Sequence, residues 1–100
     1  MEKKTLEVFY KPVAERQITA IAIYIEQKGF PDTAEKFACK LYDFGDGIGI
    51  IPEGFPTCRN KIFAKRNFRC AVFQKDYIFV YKVFKSKITI YLVIHASRIR

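Results

Sequence analysis

Residues 12–41, P-V-A-E-R-Q-I-T-A-I-A-I-Y-I-E-Q-K-G-F-P-D-T-A-E-K-F-A-C-K-L, decide the fold. Ala14, Ile18, Ile21 and Ile25 recur at four, three and four, which predicts an amphipathic helix from Val13 to Lys28. Pro12 suits its first turn, and Lys28-Gly29 marks its end. Pro31 and Asp32 open a second helix, whose apolar stripe is Ala34, Phe37, Ala38, Leu41 and Ile48. The link at Gly29 and Phe30 is short, so the two helices fold back as an antiparallel hairpin. Gly45, Gly47 and Gly49 disfavour a helix interior, and the second helix is expected to fray or stop early among them.

Outside the hairpin the pattern changes. Thr5 to Tyr10 alternates, with Leu6, Val8 and Tyr10 on one side, as a strand does. Pro52 to Pro56 is a turn-rich connector. Beyond it the chain reads as β-structure: a short stretch at Ile62–Ala64, then Phe68–Phe73, Tyr77–Phe84 and Ile88–His95, with a turn at Lys85-Ser86-Lys87. The expected architecture is α+β, β-α-α-β-β-β(β), one domain over residues 1–100, with the hairpin on one face of an antiparallel sheet. Strict alternation puts Phe73, Ile78, Val80, Phe84, Tyr91 and Val93 on the uncovered face, and His95 beside Tyr91. An exposed apolar face of that kind marks a partner surface unless a chain end or second copy covers it.

Charge is divided unequally. Of the 100 residues, those before Thr57 carry seven basic and nine acidic side chains; the remainder carry eleven basic side chains and one acid, Asp76. The net charge of +8 is therefore −2 in the first part and +10 in the second. Half the residues are apolar, which excludes a disordered chain. No apolar run is long enough for a bilayer span, and the first residues lack a signal-peptide core, so a cytoplasmic protein without membrane attachment is expected. Cys39, Cys58 and Cys70 are odd in number and contain no C-x-x-C, which reads as three reduced thiols. Neither a metal site nor a cofactor motif is present; G-x-G-x-G at 45–49 follows a helix rather than a strand.

Five segments in order carry a resemblance. They are A-E-R-Q-I-T-A-I-A-I-Y-I (14–25), G-F-P-D-T-A-E-K-F (29–37), F-R-C-A-V-F (68–73), Y-I-F-V-Y-K-V (77–83) and I-T-I-Y-L-V-I-H-A-S-R (88–98). Together they resemble the RelE/ParE superfamily of type II toxin–antitoxin modules. The resemblance implies a plasmid-stabilisation or stress-response toxin held by a cognate antitoxin, with a homodimer or a heterotetramer with that antitoxin both allowed. RelE-like members cut mRNA on the ribosome; ParE-like members poison DNA gyrase.

The resemblance also separates the branches. RelE-like toxins carry an Arg where this chain has Ile78, and a second Lys where it has Ala71. Arg69 and Arg98 match basic positions, His95 matches a histidine some members use in RNA cleavage, and a Tyr expected slightly further on would fall beyond Arg100. Candidate ribonuclease residues are thus Arg69, His95 and Arg98, with the central one missing. The helix wording, the Y-I-F-V-Y strand and the H-A-S-R ending fit the ParE-like branch better. Target or antitoxin binding is then expected at Arg59, Lys61, Lys65, Arg66, Arg69, Lys82, Arg98 and Arg100, whose charge attracts an acidic partner, and on the apolar sheet face. Direct nucleic-acid binding, with Phe63, Phe68 and Tyr91 as stacking groups, is a separate class of reading.

Overall fold

The structure is a computed structural model that describes residues 5–98, the side chain of Arg98 excepted. In chain order it contains β1 (Glu7–Tyr10), α1 (Pro12–Gln27), α2 (Pro31–Gly47), α3 (Lys61–Lys65), β2 (Arg69–Phe73), β3 (Tyr77–Val83) and β4 (Lys87–His95), closed by a short 3-10 turn at Ala96–Arg98. The sheet order is β1-β4-β3-β2. β2, β3 and β4 are antiparallel neighbours, whereas β1 joins β4 in parallel. A parallel pair needs a long crossover, and everything between β1 and β4 supplies it.

The helical hairpin covers one face. Ala14 and Ile18 of α1 and Leu41 of α2 are fully buried against Phe79, Tyr81, Ile88 and Ile90. Phe44 of α2 stacks on Phe73 and Phe79 at centroid distances of 4.9 and 5.1 Å. Phe73 therefore belongs to the helix side, not to the opposite face. It pairs with Tyr77, and the antiparallel register sends both side chains towards α2, where Phe37 meets them.

α2 runs past Gly45 and ends among its glycines, at Gly47, as their low helix propensity leads one to expect. The glycines at its end accommodate β1. A Cβ on Gly45 would collide with the Tyr10 hydroxyl, and one on Gly49 with the Leu6 carbonyl. The Leu6 N–H donates to the Gly49 carbonyl at 2.9 Å. The Tyr10 hydroxyl lies 3.0 Å from the Tyr42 carbonyl and 2.8 Å from the Asp46 carboxylate. The propensity cost of glycine is accepted so that β1 can lie against the helix end.

The second face is not open either. Residues 57–68 fold across it as a flap, and three sequence expectations change there. Ile62–Ala64 is helical rather than extended, because Asn60 caps α3: its Oδ1 accepts from the N–H groups of Ile62 and Phe63 at 3.0 and 3.2 Å. Cys58 and Cys70 are not free thiols but a disulfide, Cα–Cα 4.9 Å, leaving Cys39 free and exposed. Ile78 and Val80 retain 8% and 1% exposure because Cys58 and Phe68 lie on them. Replacing Asn60 with Ala should lower the unfolding free energy by about 1 kcal/mol, read as a lower urea midpoint at unchanged slope. An unchanged midpoint would show that α3 does not need its cap.

A bulge in β4 completes the correction. Val80 pairs with Leu92 and Tyr81 with Ile90, so Tyr91 is the extra residue. One inserted residue exchanges the two faces for everything after it. Tyr91 remains on the flap side, against Phe68, while Val93 turns into the helix-side core at 1% exposure. The Gln17 side-chain oxygen accepts the Val93 N–H at 2.7 Å, tying α1 to the strand just past the bulge.

Candidate functional site

The flap gathers the basic residues. Arg59, Lys61, Lys65 and Arg66 are all exposed on α3 and its flanks, and Ile62 projects among them at 67% exposure. Asn67, in the left-handed region at φ 65°, turns the chain from α3 into β2. This brings the cations onto one projecting element with no acidic side chain within it. A compact positive surface of this kind attracts polyanions and acidic proteins at long range.

The remaining sequence candidates divide. Arg69 is half-buried and faces the connector, where its guanidinium donates to the Phe55 carbonyl at 2.5 Å. That contact fixes the connector over the sheet rather than presenting Arg69 to a partner. Lys82 is half-buried with its ammonium 4.6 Å from the centre of the Phe68 ring. Phe84 is 39% exposed, and Lys87 lies between it and Phe9, 5.7 and 5.5 Å from the two rings. Tyr91 meets Phe68 edge-on at 4.9 Å and carries Lys11 over its ring at 5.4 Å. Phe63 and Phe68 pack on one another at 5.8 Å, so Phe68 is a component of the flap's own core, not a free stacking platform. Arg98 falls in the terminal 3-10 turn with its side chain outside the described residues, and Arg100 lies outside them altogether.

His95 sits elsewhere from its expected place. After the bulge it faces α1, edge-on to Tyr77 at 5.6 Å, in a groove of about 520 Å³ that Tyr24 and Gln17 also line. Its Nδ1 receives the Ser97 backbone N–H at 3.1 Å and lies 2.9 Å from the Ser97 hydroxyl. A backbone N–H can only donate, so Nδ1 accepts and the neutral ring carries its proton on Nε2. In that form Nε2 offers a donor, not the lone pair a general base needs. His95 lies opposite Tyr77 and Arg69 opposite Tyr81, on strands either side of β3. Four residues along the strand and two strand spacings across separate the two by roughly 16 Å. The ribonuclease candidates Arg69 and His95 are not brought together.

Burial raises four tyrosine hydroxyls, those of Tyr10, Tyr42, Tyr77 and Tyr81; Tyr81 and Tyr10 also make hydrogen bonds that hold the fold. Burial pushes Tyr81 up to about 12, with Glu53 adding to the shift and Arg69 opposing it. Burial, the Asp46 hydrogen bond and the Asp46 charge raise Tyr10 further. Both serve as neutral structural donors; Tyr81 donates to the Pro52 carbonyl at 2.8 Å. Among the described residues no cluster of three or more His, Cys, Asp or Glu could hold a metal ion, and no helix is long and apolar enough to cross a membrane.

The flap was the least legible element. Asn60 before a short apolar stretch is a helix-start signal that outweighs β-propensity at Ile62 and Phe63, and it was available in the sequence. The Cys58–Cys70 pairing was not, because spacing alone does not fix connectivity.

No family model matches the sequence, and no curated protein does. Among solved structures the chain is similar to a chain described as the chromosomal ParDE TA system from P. aeruginosa, with a TM-score of 0.77 and 11% identity over 91% of this chain and 96% of that one. The likeness is one of fold: this chain shares the α+β fold of that chain across nearly its whole length.

Proposed function

We propose that the chain is the toxin of a type II toxin–antitoxin module, ParE-like in action, inhibiting DNA gyrase in the cytoplasm and neutralised by a cognate antitoxin protein. The observation that carries this reading is the ParE-like fold over 91% of the chain. The placement of the candidate residues favours gyrase over mRNA. A phosphodiester cleavage needs a base and a charge donor around one phosphate, and His95 and Arg69 stand apart with His95 in a donor tautomer. The exposed cations Arg59, Lys61, Lys65 and Arg66 instead suit an acidic protein surface or a protein–DNA complex. Ile78 and Val80 lie beneath the flap, so this reading gives the contact to the basic flap and leaves the sheet face to the protein's own core.

The deciding experiment is a gyrase supercoiling and cleavage-complex assay with the purified chain, run beside a ribosome-dependent mRNA cleavage assay. Trapped gyrase–DNA complexes with intact mRNA are expected. Cut mRNA without gyrase trapping would select the RelE-like activity, and inactivity in both would make this a non-toxic member of the fold. Reversing Arg59, Lys61, Lys65 and Arg66 together to Glu should raise the half-inhibitory concentration by about tenfold or more, since electrostatic steering alone spans that range. The thermal midpoint should move little, because all four side chains are exposed. An unaltered inhibition curve would remove the flap from the target surface. His95→Ala should leave gyrase inhibition unchanged.

A further inference from the structure

The disulfide and the basic cluster coincide. Cys58 and Cys70 are separated by 12 in sequence. Between them lie Arg59, Lys61, Lys65, Arg66 and Arg69, and no acid. The same bond ties the start of the flap to β2, the last strand of the sheet. Non-covalent attachment of the flap is thin. Within residues 57–68 only Cys58 and Phe68 are buried, and α3 buries none of its side chains. Two backbone hydrogen bonds hold its ends together, Cys58 N–H to the Phe68 carbonyl and Cys70 N–H to the Pro56 carbonyl, each 3.1 Å. A segment with so few buried contacts opens by itself far more readily than the core does.

We propose that the Cys58–Cys70 bond is a reversible latch that fixes the basic flap on the sheet when oxidised and releases it when reduced, which rests on the flap being the target-binding surface. Closing a ring of this size removes enough freedom from the opened state to disfavour opening about a hundredfold. Reduction restores that freedom. The reductant is a dithiol: its thiolate attacks Sγ of Cys70, the more exposed of the pair, and the S–S bond breaks. Cys58 leaves as a thiolate and takes a proton, and the second thiol of the reductant displaces Cys70 from the mixed disulfide. Two electrons and two protons pass to the protein, and the reductant ends as a disulfide. In a reducing compartment a bond of this kind is transient, so its formation reports oxidation.

The oxidised state holds the cations in one arrangement; the reduced state disperses them. Pre-organisation lowers the cost of binding, so the oxidised chain engages a polyanion more tightly. Covalent closure also keeps Phe68 over Ile78 and Val80, whereas release uncovers them.

The test compares the chain oxidised, reduced with dithiothreitol, and carrying Cys58→Ser with Cys70→Ser, all in a Cys39→Ser background so that the exposed free thiol takes no part. Hydrogen exchange of the backbone amides at positions 58, 68 and 70 is expected to quicken about a hundredfold on reduction, with the Phe79 amide in the core unaffected. The double variant should match the reduced chain without reductant. Poly-L-glutamate should bind the oxidised chain several-fold more tightly. Unchanged flap exchange overturns the latch, as does equal acceleration at Phe79, which would make the bond a support of the whole fold. Equal poly-L-glutamate affinity in both states detaches the latch from the basic surface. These outcomes are independent of gyrase: a responsive flap in a chain that inhibits nothing leaves the latch standing and removes the toxin reading, and an unresponsive flap in a gyrase inhibitor does the reverse.

Discussion

Replacing Gly49 with Ala should cost about 3 kcal/mol of stability, at the upper end of what one added methyl does in a packed site, while the same replacement at Gly47, two residues earlier, should add up to about 1 kcal/mol. The difference comes from what each new Cβ would meet. At Gly49 it would strike the Leu6 carbonyl and press on Cγ2 of Val8. A carbonyl belongs to the backbone and cannot turn aside as a side chain does. Leu6 is also bonded to Gly49 through its own N–H, so moving it breaks the hydrogen bond that starts β1. β1 is an edge strand whose one sheet neighbour is β4, and its displacement uncovers Val8 and Tyr10 from the core. At Gly47 nothing lies within 4 Å of the added carbon, and only the helix-propensity gain remains. Gly45 falls between them, because its obstacle is the tip of the Tyr10 side chain. Urea unfolding followed by far-ultraviolet circular dichroism measures all three. Equal shifts at Gly47 and Gly49 would refute the argument, since propensity alone cannot distinguish them.

Those glycines show where sequence reading stops. Their cost to a helix was legible, and α2 does end among them, at Gly47. Their compensation was not, because it depends on Leu6 and Tyr10, which arrive from a strand some forty residues away along the chain. The hairpin itself was legible, since Ala14, Ile18, Ala34 and Leu41 follow helix periodicity and are all buried. The three C-terminal strands were legible for the same reason. Apart from Phe73, which turns to the helix side, the faces were legible as far as Ile90. A bulge leaves no mark in a run as uniformly apolar as I-T-I-Y-L-V-I, and after it every residue has the opposite side from that which alternation assigns. His95 and Val93 were misplaced by that one residue. The charge asymmetry, by contrast, needed no geometry to be noticed. Folding narrows it: four of its cations project from the flap, Arg69 turns inward to Phe55, and Lys82 lies over Phe68.

Alkaline pH should destabilise the protein between about pH 10 and 12, with Tyr81 one of the groups responsible. In the unfolded chain Tyr81 releases its proton near 10.0; in the native state burial holds it to about 12. Across that window the unfolded state carries fewer protons than the native one, so stability falls as pH rises. Below pH 10 both states keep the proton and the contribution is complete; above about 12 it is lost. Two pH units set an upper bound of about 3 kcal/mol on that loss. Tyr10 adds in the same direction, since burial and Asp46 raise it too and its window begins at the same unfolded value of 10.0. Urea midpoints from pH 9 to 12, read beside tyrosinate absorbance, should show native Tyr81 titrating late and the midpoint falling as the unfolded state ionises. Tyr81→Phe separates the two components of its role. Below pH 10 it should cost about 1 kcal/mol, from loss of the bond to the Pro52 carbonyl. Above pH 10 it should lose less stability per pH unit than the parent, because one ionising group has gone. Parallel curves for the two proteins would mean that Tyr81 titrates alike folded and unfolded, and that the connector over it does not exclude water.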